Sequence, residues 1–522
     1  MFVTPDTNHI AIDWRPDLAQ LIPHSREFNY QGQRMLLIPN HHEVAKVCRN
    51  VGVPVPAPII SRYDWPHIPG KSPWDTQRTT AALLTESPRA YVLSTMGTGK
   101  TAASAWAADF LVRNAGIKRT LISASLSTLT PVWEKELFEL FPRARVKVLH
   151  GDKAKRLRLL AEDAEWYIIN HHGVELIADE LVKRGFGTLI IDELASKGLR
   201  NKSTELWKAH ATVVNAPGMQ YVWGLTGSPM PKAPTDAWAQ IRLLTPDNTT
   251  RTLGRFKDLT MRQVSNFKWV SRPEATETVY RAMQPSVRYT IDDVMELPPT
   301  SYVSRDVKLE PDTAKAYKLL FDKMVMMTNR GESITAVNEG VLQTKLLQVA
   351  CGYIYTDKQK VYALPNQGRL KALLDLVQEA DRKVIVFVPF VHALQGVADF
   401  LKKNGESVKL VYGGTSKGVR DKTFRSFQDE AEPRVLVAHP ECMAHGLTLT
   451  AANTAIWYCP TNALDIYEQA NARIIRPSQT SKTLIAHLVG TPVEKAAYSR
   501  LKERSRMQGM LLELFHRQDV EY

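Results

Sequence analysis

Cysteine is scarce in these 522 residues. Cys48, Cys351, Cys442 and Cys459 stand far apart, with no close pairing. That excludes a disulfide framework and zinc ribbons, whose ligands come at short paired spacings, and it favours a reducing compartment. Long apolar runs are lacking too. The densest, Val384-Ile-Val-Phe-Val-Pro-Phe-Val391, is far too short to span a bilayer. The opening residues, MFVTPDTNHIAIDWRPD, have no apolar core of a secretion signal. There is no low-complexity tract and no convincing short-period repeat. The expectation is a soluble, cytoplasmic, multidomain protein with no membrane partner.

What is present is a globular composition, 44% hydrophobic and 23% charged. The length suits roughly three or four domains of ~100–200 residues each. Lys and Arg number 67 against 54 Asp and Glu, a net charge of +13. Such an excess suits a polyanionic partner, although solubility alone would also account for it.

Residues 1–70 read as an accessory domain of two or three strands and a helix, closed by a proline-rich connector. Six prolines fall between Val53 and Pro73, which favours a semi-rigid extended segment. The aromatic residues beside it, Tyr63, Trp65 and Trp74, read as packing the linker against a domain. From 71 to 245 apolar runs at 91–93, 119–124, 146–149, 166–169, 187–191 and 221–225 alternate with helical segments. This is the pattern of a parallel sheet covered on both faces, with ligands at the carboxyl ends of its strands. Residues 246–300 read as a connector. The alternation resumes over 301–505, with strands at 383–388, 408–411, 434–438, 454–458 and 483–488 and a helix over 463–475. A basic helical tail closes the chain at 506–522.

Four stretches carry chemistry. Ser94-Thr-Met-Gly-Thr-Gly-Lys-Thr101 lies between an apolar run and a helix-compatible one. A strand, a glycine turn and a helix N-terminus form an anion cradle. Gly97 and Gly99 allow close backbone approach, Lys100 reaches terminal phosphates, and the Thr101 hydroxyl suits Mg²⁺. Ser94 stands where the phosphate-loop consensus opens with glycine, and an ordinary glycine turn before a core helix would look similar. Second, the run ending Ile190-Ile191-Asp192-Glu193 presents two carboxylates. Asp192 suits Mg²⁺ and Glu193 the attacking water, while an acidic helix start is the plain alternative. Third, Leu225-Thr226-Gly227-Ser228-Pro229 offers two hydroxyls at another strand end. Fourth, Gln469, Arg473 and Arg476 fall at i, i+4 and i+7, one face of a helix. They read either as arginine fingers or as a solvated basic face.

In this order the stretches resemble the superfamily-two helicases, specifically the Swi/Snf-type DNA translocases in a compact phage-like version, over residues 74–479. SPWDTQRTTAALL resembles the adenine-reading motif, with Gln77 as base contact. STMGTGKT resembles motif one, the family commonly having no leading glycine. LISASLSTLTPVWEKEL resembles motif Ia, and LTGSPMP with DAWAQIRLL resembles motif three and its trailing Trp helix. VIVFVPF, AHGLTLTAANTAIWY and QANARIIRPSQ resemble motifs four, five and six. Residues 1–70 resemble, loosely, the leading modules of phage-type and annealing helicases, as a DNA contact or as a support for the neighbouring lobe.

The resemblance implies two RecA-like lobes in tandem, an α/β fold with a small N-terminal α+β domain. It implies an ATP hydrolase using ATP and Mg²⁺ and acting on DNA, double-stranded or branched, in phage-type replication, recombination or repair. In a phage-encoded chain the compartment would be the host cytoplasm. A fork-remodelling or annealing helicase and an RNA-directed helicase are the alternatives. Lys100, Asp192, Glu193, Arg473 and Arg476 are the implied catalytic residues. Gln77, Met96, Gly97, Thr98, Gly99, Lys100, Thr101 and Gln469 hold the nucleotide, and Thr101 and Asp192 the metal. Ser125, Thr226, Ser228, His445 and Gly446 couple hydrolysis to nucleic acid. His171-His172 reads as a backbone contact for nucleic acid. Two departures stand out: Leu194-Ala195 replaces the usual histidine after the Asp-Glu pair, and Ala444-His445-Gly446 replaces Gly-x-Gly.

Overall fold

The structure is a computed structural model describing residues 1–69, 72–265, 268–327, 333–335, 339–356, 360–443, 448–476 and 478–516. The chain forms two compact units. One comprises Met1–Val294 with the chain end from Met507, and the other Met295–Arg506.

The first unit begins with an antiparallel sheet of β1 (Phe2–Val3), β2 (His9–Asp13), β3 (Arg26–Tyr30) and β4 (Gln33–Pro39), in the order β1-β2-β4-β3. Ile10, Ile12, Leu36 and Ile38 alternate along β2 and β4 and share a small core with the helices Pro16–Leu21 and His42–Asn50. The second of these helices anchors the sheet to its neighbour. His42 Nε2 lies 2.8 Å from the Tyr221 hydroxyl, and Arg49 pairs with Glu86 at 3.1 Å. The proline-rich stretch is not simply extended, because it contains the short helix Pro58–Arg62. Tyr63 and Trp65 are buried and Trp74 partly so: Trp65 meets Trp106 edge-on at 5.6 Å, and the Trp106 indole donates to Pro66 O at 2.6 Å. Burying each such ring contributes about 1.5–3 kcal/mol, which fastens this stretch to the first unit.

The large sheet of this unit holds β5 (Arg89–Val92), β6 (Thr120–Ala124), β7 (Val146–Leu149), β8 (Trp166–Asn170), β9 (Thr188–Ile191) and β10 (Tyr221–Leu225). A small hairpin follows, β11 (Met261–Ser265) with β12 (Lys268–Ser271), and then β13 (Ser286–Val287). The large-sheet order is β13-β5-β10-β9-β6-β8-β7, with every pairing parallel. Every residue of β6, β8, β9 and β10 is buried, as helices on both faces require. Because all these strands run the same way, their carboxyl ends share one edge. Tyr221 and Glu86 lie at the opposite, amino edge, so the N-terminal sheet docks away from the phosphate loop.

Residues 246–294 are more than a plain link. They contribute the helices Leu253–Thr260 and Ala275–Ala282 and the edge strand β13 to the first unit.

The second unit is also parallel. It adds β14 (Thr300–Asp306), the hairpins β15 (Val325–Met327) with β16 (Ser333–Thr335) and β17 (Tyr353–Tyr355) with β18 (Val361–Ala363), then β19 (Lys383–Phe387), β20 (Val408–Val411), β21 (Val435–Ala438), β22 (Ala452–Trp457) and β23 (Thr483–Val489). Its sheet order is β14-β23-β22-β19-β21-β20. A buried ion pair ties two of its helices: Arg369 donates to both Glu494 oxygens, at 2.7 and 2.9 Å. Among the described residues no helix is long and apolar enough to cross a membrane.

Beneath the large sheet of the first unit, three polar side chains form a fixed relay. His210 Nδ1 lies 2.8 Å from Leu206 O, a pure acceptor, so Nδ1 carries the proton. Burial lowers the His210 pKa to about 4, so Nε2 is unprotonated and accepts from the Ser123 hydroxyl at 2.8 Å. His171 Nδ1 then donates to Ser123 Oγ, also at 2.8 Å. His171 is therefore a core residue and not a nucleic-acid contact. His172 is the exposed one, 3.5 Å from Glu175.

The depressed pKa sets a pH dependence. Folding excludes the proton that the unfolded chain binds below its ordinary pKa near 6.5. Stability is therefore full above that value and falls as pH drops towards 4, by up to about 3 kcal/mol. Urea midpoints at pH 7 and pH 5 should differ in the parent and differ less in His210→Gln, the remainder coming from other buried histidines such as His487.

Candidate active site

The shared carboxyl edge gathers the first unit's candidate residues from separate strands. After β5 the chain turns through Gly97 and Gly99, both left-handed at φ +86° and +74°, into the helix Lys100–Asn114. That conformation favours glycine, and at Gly99 space demands it as well: a Cβ would lie 2.0 Å from Gln77 Nε2. Thr98 braces the turn, its hydroxyl donating to Thr95 O at 2.9 Å. Lys100 Nζ donates to the carbonyls of Ser94 at 2.6 Å and Thr95 at 3.1 Å. Met96 and Thr101 are partly buried beside it.

Gln77, in the helix Asp75–Glu86, is held at both ends. Its Oε1 accepts from Trp74 N at 2.9 Å and its Nε2 donates to Gly99 O at 3.4 Å. This ties the helix ahead of β5 directly to the phosphate loop.

Asp192 and Glu193 follow β9. Asp192 N donates to Ser123 O at 2.8 Å, which continues the ladder to β6. Burial pushes the Asp192 carboxyl above the ordinary carboxylate range, while the Trp133 indole, the Lys100 charge and the Glu193 amide oppose that rise. Oδ2 accepts from Trp133 Nε1 at 2.9 Å and Oδ1 from Glu193 N at 3.0 Å. Glu193 itself is left-handed, φ +51°. A non-glycine residue in that region is uncommon, and such strain clusters at functional sites.

Thr226 and Ser228 follow β10. Thr226 N continues the pairing to Val92 O at 3.0 Å, and Thr226 Oγ1 accepts from Ser228 N at 3.2 Å. A Cβ on Gly227 would lie 4.0 Å from Lys100 Nζ, so this loop abuts the phosphate loop. Ser125, just past β6, bonds Thr128 at 3.1 Å in a local turn.

Trp133 escaped the sequence reading as a site residue. It is fully buried in a π-helical turn, Leu129–Glu134. The available signal was that a buried indole N–H needs an acceptor, and here that acceptor is Asp192. Trp133→Phe keeps an aromatic ring, though a smaller one, and removes the donor, freeing the Asp192 carboxylate to rotate. Turnover or metal affinity is expected to fall about 10–100-fold, read by titrating Mg²⁺ at fixed ATP.

In the second unit the expected helical face is interrupted. The helix is Leu464–Asn471, after which Arg473 N bonds Ala470 O and both Ile474 N and Ile475 N bond Asn471 O, a mix of three- and four-residue turns. Asn471 is pinned by the Trp457 indole at 2.9 Å, and Pro477 follows, so the helix cannot run on. Gln469 is partly buried on the helix. Arg473 is buried, its Nε donating to Gln469 O at 3.0 Å. Arg476 is partly exposed, 3.5 Å from Thr448 Oγ1, and burial lowers its pKa to about 10, so it stays charged at neutral pH. His445 and Gly446 lie outside the described residues.

A glycine-bearing loop at a helix N-terminus, a lysine within it and an Asp-Glu pair on one parallel-sheet edge define a nucleotide-hydrolysing enzyme of the phosphate-loop class. Comparison with known families sharpens that. The SNF2-related domain model matches residues 84–351 and the helicase conserved C-terminal domain model residues 368–478. The chain belongs to the SNF2-related family, the Swi/Snf-type branch of superfamily-two helicases, and is an ATP-hydrolysing enzyme.

Protein p41 of Acyrthosiphon pisum secondary endosymbiont phage 1 is 24% identical over 463 residues, 83% of this chain and 96% of that protein. An ATP-dependent helicase of Mycoplasma pneumoniae is 24% identical over 76% of this chain and 37% of its own length. The Drosophila melanogaster SWI/SNF-related matrix-associated actin-dependent regulator of chromatin subfamily A-like protein 1 is 22% identical over 78% of this chain and 51% of its own. The chain thus spans about a third to a half of the length of these two larger relatives. A solved Sulfolobus solfataricus SWI2/SNF2 ATPase core in complex with dsDNA aligns at TM-score 0.40 and 20% identity, over 84% of this chain and 93% of that one.

Proposed function

We propose that the enzyme is a DNA translocase that couples ATP hydrolysis to movement on, or remodelling of, DNA in phage-type replication, recombination or repair. The observation that carries this is the gathering of Lys100, Asp192, Glu193 and the Thr226–Ser228 loop at one sheet edge, in a chain of this family. Lys100, now on two loop carbonyls, would exchange them for phosphate oxygens. The loop N–H groups and the helix N-terminus would cradle the remaining charge.

Mg²⁺ fits the donors present. Thr101 supplies a hydroxyl, and each Asp192 oxygen keeps a lone pair beyond its present hydrogen bond. In nucleotide sites this ion takes one or two protein oxygens besides phosphates and water. Bound there, it would supply charge neutralisation on the phosphates. Glu193 would orient the attacking water, and Arg473 and Arg476 would stabilise charge on the transferred phosphoryl group. Ser125, Thr226, Ser228, His445 and Gly446 would connect this site to the DNA backbone. The +13 charge suits phosphate contacts, hence sequence-tolerant, salt-sensitive binding.

A second reading, a preference for forked or branched DNA, is favoured by the N-terminal sheet, which has its own core and exposes the contacting rings of Phe2 and Tyr30 at 4.9 Å. ATP turnover on single-stranded, duplex and forked DNA and on duplex RNA tests both. Equal stimulation by forked and linear DNA would remove the second reading, and stimulation by RNA alone would overturn the first.

A further inference from the structure

Ser94 occupies the position where the phosphate-loop consensus carries glycine, and its side chain has a specific partner. It is 2% exposed, and its hydroxyl oxygen accepts the backbone N–H of Tyr289 at 2.9 Å. That bond completes a longer seam. Tyr91 N bonds Pro285 O at 3.0 Å, Leu93 N bonds Val287 O at 2.8 Å, and Thr95 N bonds Tyr289 O at 2.9 Å. Pairing between β5 and β13 therefore runs past the end of β5 and into the loop itself.

The same residue faces the nucleotide side. Ser94 O accepts from Lys100 Nζ at 2.6 Å, and a Cβ on Gly227 would lie 3.4 Å from it. Beyond Tyr289 the chain is not slack: the Thr290 hydroxyl donates to Asp293 at 2.7 Å around the turn Ile291–Asp293. The first unit ends at Val294. One residue thus touches the phosphate-binding lysine through its carbonyl, and through its hydroxyl the strand that leads out of the unit.

We propose that Ser94 is a positioning residue that fastens the phosphate loop to the 285–289 strand, so that displacement of Lys100 from the Ser94 carbonyl is passed to the segment joining the two units. This rests on the translocase reading and adds a place where hydrolysis is tied to movement. Alanine or glycine at this position would take away the side-chain oxygen that accepts the Tyr289 N–H. Glycine, the consensus residue, would keep the backbone bond from Thr95 N to Tyr289 O and lose the side-chain one.

The test uses the full chain and a duplex carrying a third-strand oligonucleotide. Third strands displaced and ATP hydrolysed are measured together, and their ratio is the readout. Loss of a merely structural bond would lower the melting temperature but leave that ratio alone. Ser94→Ala and Ser94→Gly are expected to lower strands displaced per ATP at least about fivefold, whatever their turnover. Ser94→Thr, which keeps the hydroxyl, should restore the ratio. Glycine guards against failure of the alanine variant to fold, since phosphate loops accept it there. If the wild type displaces strands and both hydroxyl-free variants match its ratio, the proposal is overturned alone. A wild type that hydrolyses ATP without displacing strands overturns it together with the translocase reading.

Discussion

Lys100→Ala is expected to abolish DNA-stimulated ATP turnover, a fall of about 10²–10³-fold or more, the scale for losing a charge aimed at the transition state. The structure supplies the reason. Lys100 is the cation of the loop, and the carbonyls it now engages belong to the loop's first two residues. Without it, negative charge gathering on the phosphates meets only backbone dipoles. Glu193→Gln should lower turnover comparably by a different route, since the amide cannot take a proton from water. The two variants separate in a binding experiment. A fluorescent ATP analogue should bind weakly to Lys100→Ala and about as tightly as parent to Glu193→Gln. Either variant hydrolysing ATP at the parental rate with DNA present would remove that residue from the site.

The second large effect divides the two arginines. Arg476→Ala should lower turnover about 10³-fold, within the range for loss of an arginine finger, with little change in melting temperature. Arg476→Lys should not restore it, because an ammonium cannot reproduce the planar fork. Arg473 is different: it is 1% exposed and its guanidinium Nε donates to Gln469 O at 3.0 Å. Arg473→Ala should therefore lose turnover and also stability, on the order of 2–4 kcal/mol, as for other breaches of a buried polar network. Denaturant midpoints and initial rates on the same preparations separate these effects. An Arg473→Ala protein as stable as its parent would show that the residue is not a structural member of the second unit.

Much of the fold was legible because its strands are buried on both faces. Thr120–Ala124, Thr188–Ile191 and Tyr221–Leu225, buried throughout, lie within a residue of where their apolar runs place them. Strands without that signature were hidden. β14 is exposed along most of its length, and β13 has only two residues and is held by pairing with β5. Helical spacing carried the helix to 475, whereas it ends at Asn471 and continues as irregular turns before Pro477. The adjacent histidines read alike in sequence, yet one is buried against Ser123 and the other is exposed. The phosphate loop and the Asp-Glu pair were legible as motifs. The Trp133 indole on Asp192 was not, since the two residues stand 59 positions apart.

The central claim is that hydrolysis at the Lys100–Asp192–Glu193 edge drives movement along DNA. The most direct measurement is third-strand displacement from duplex DNA, followed alongside ATP hydrolysis, with Lys100→Ala as the control. The account predicts turnover stimulated by duplex, displacement only with hydrolysable nucleotide, and neither with the variant. Turnover indifferent to DNA, or displacement that persists without hydrolysis, would contradict it.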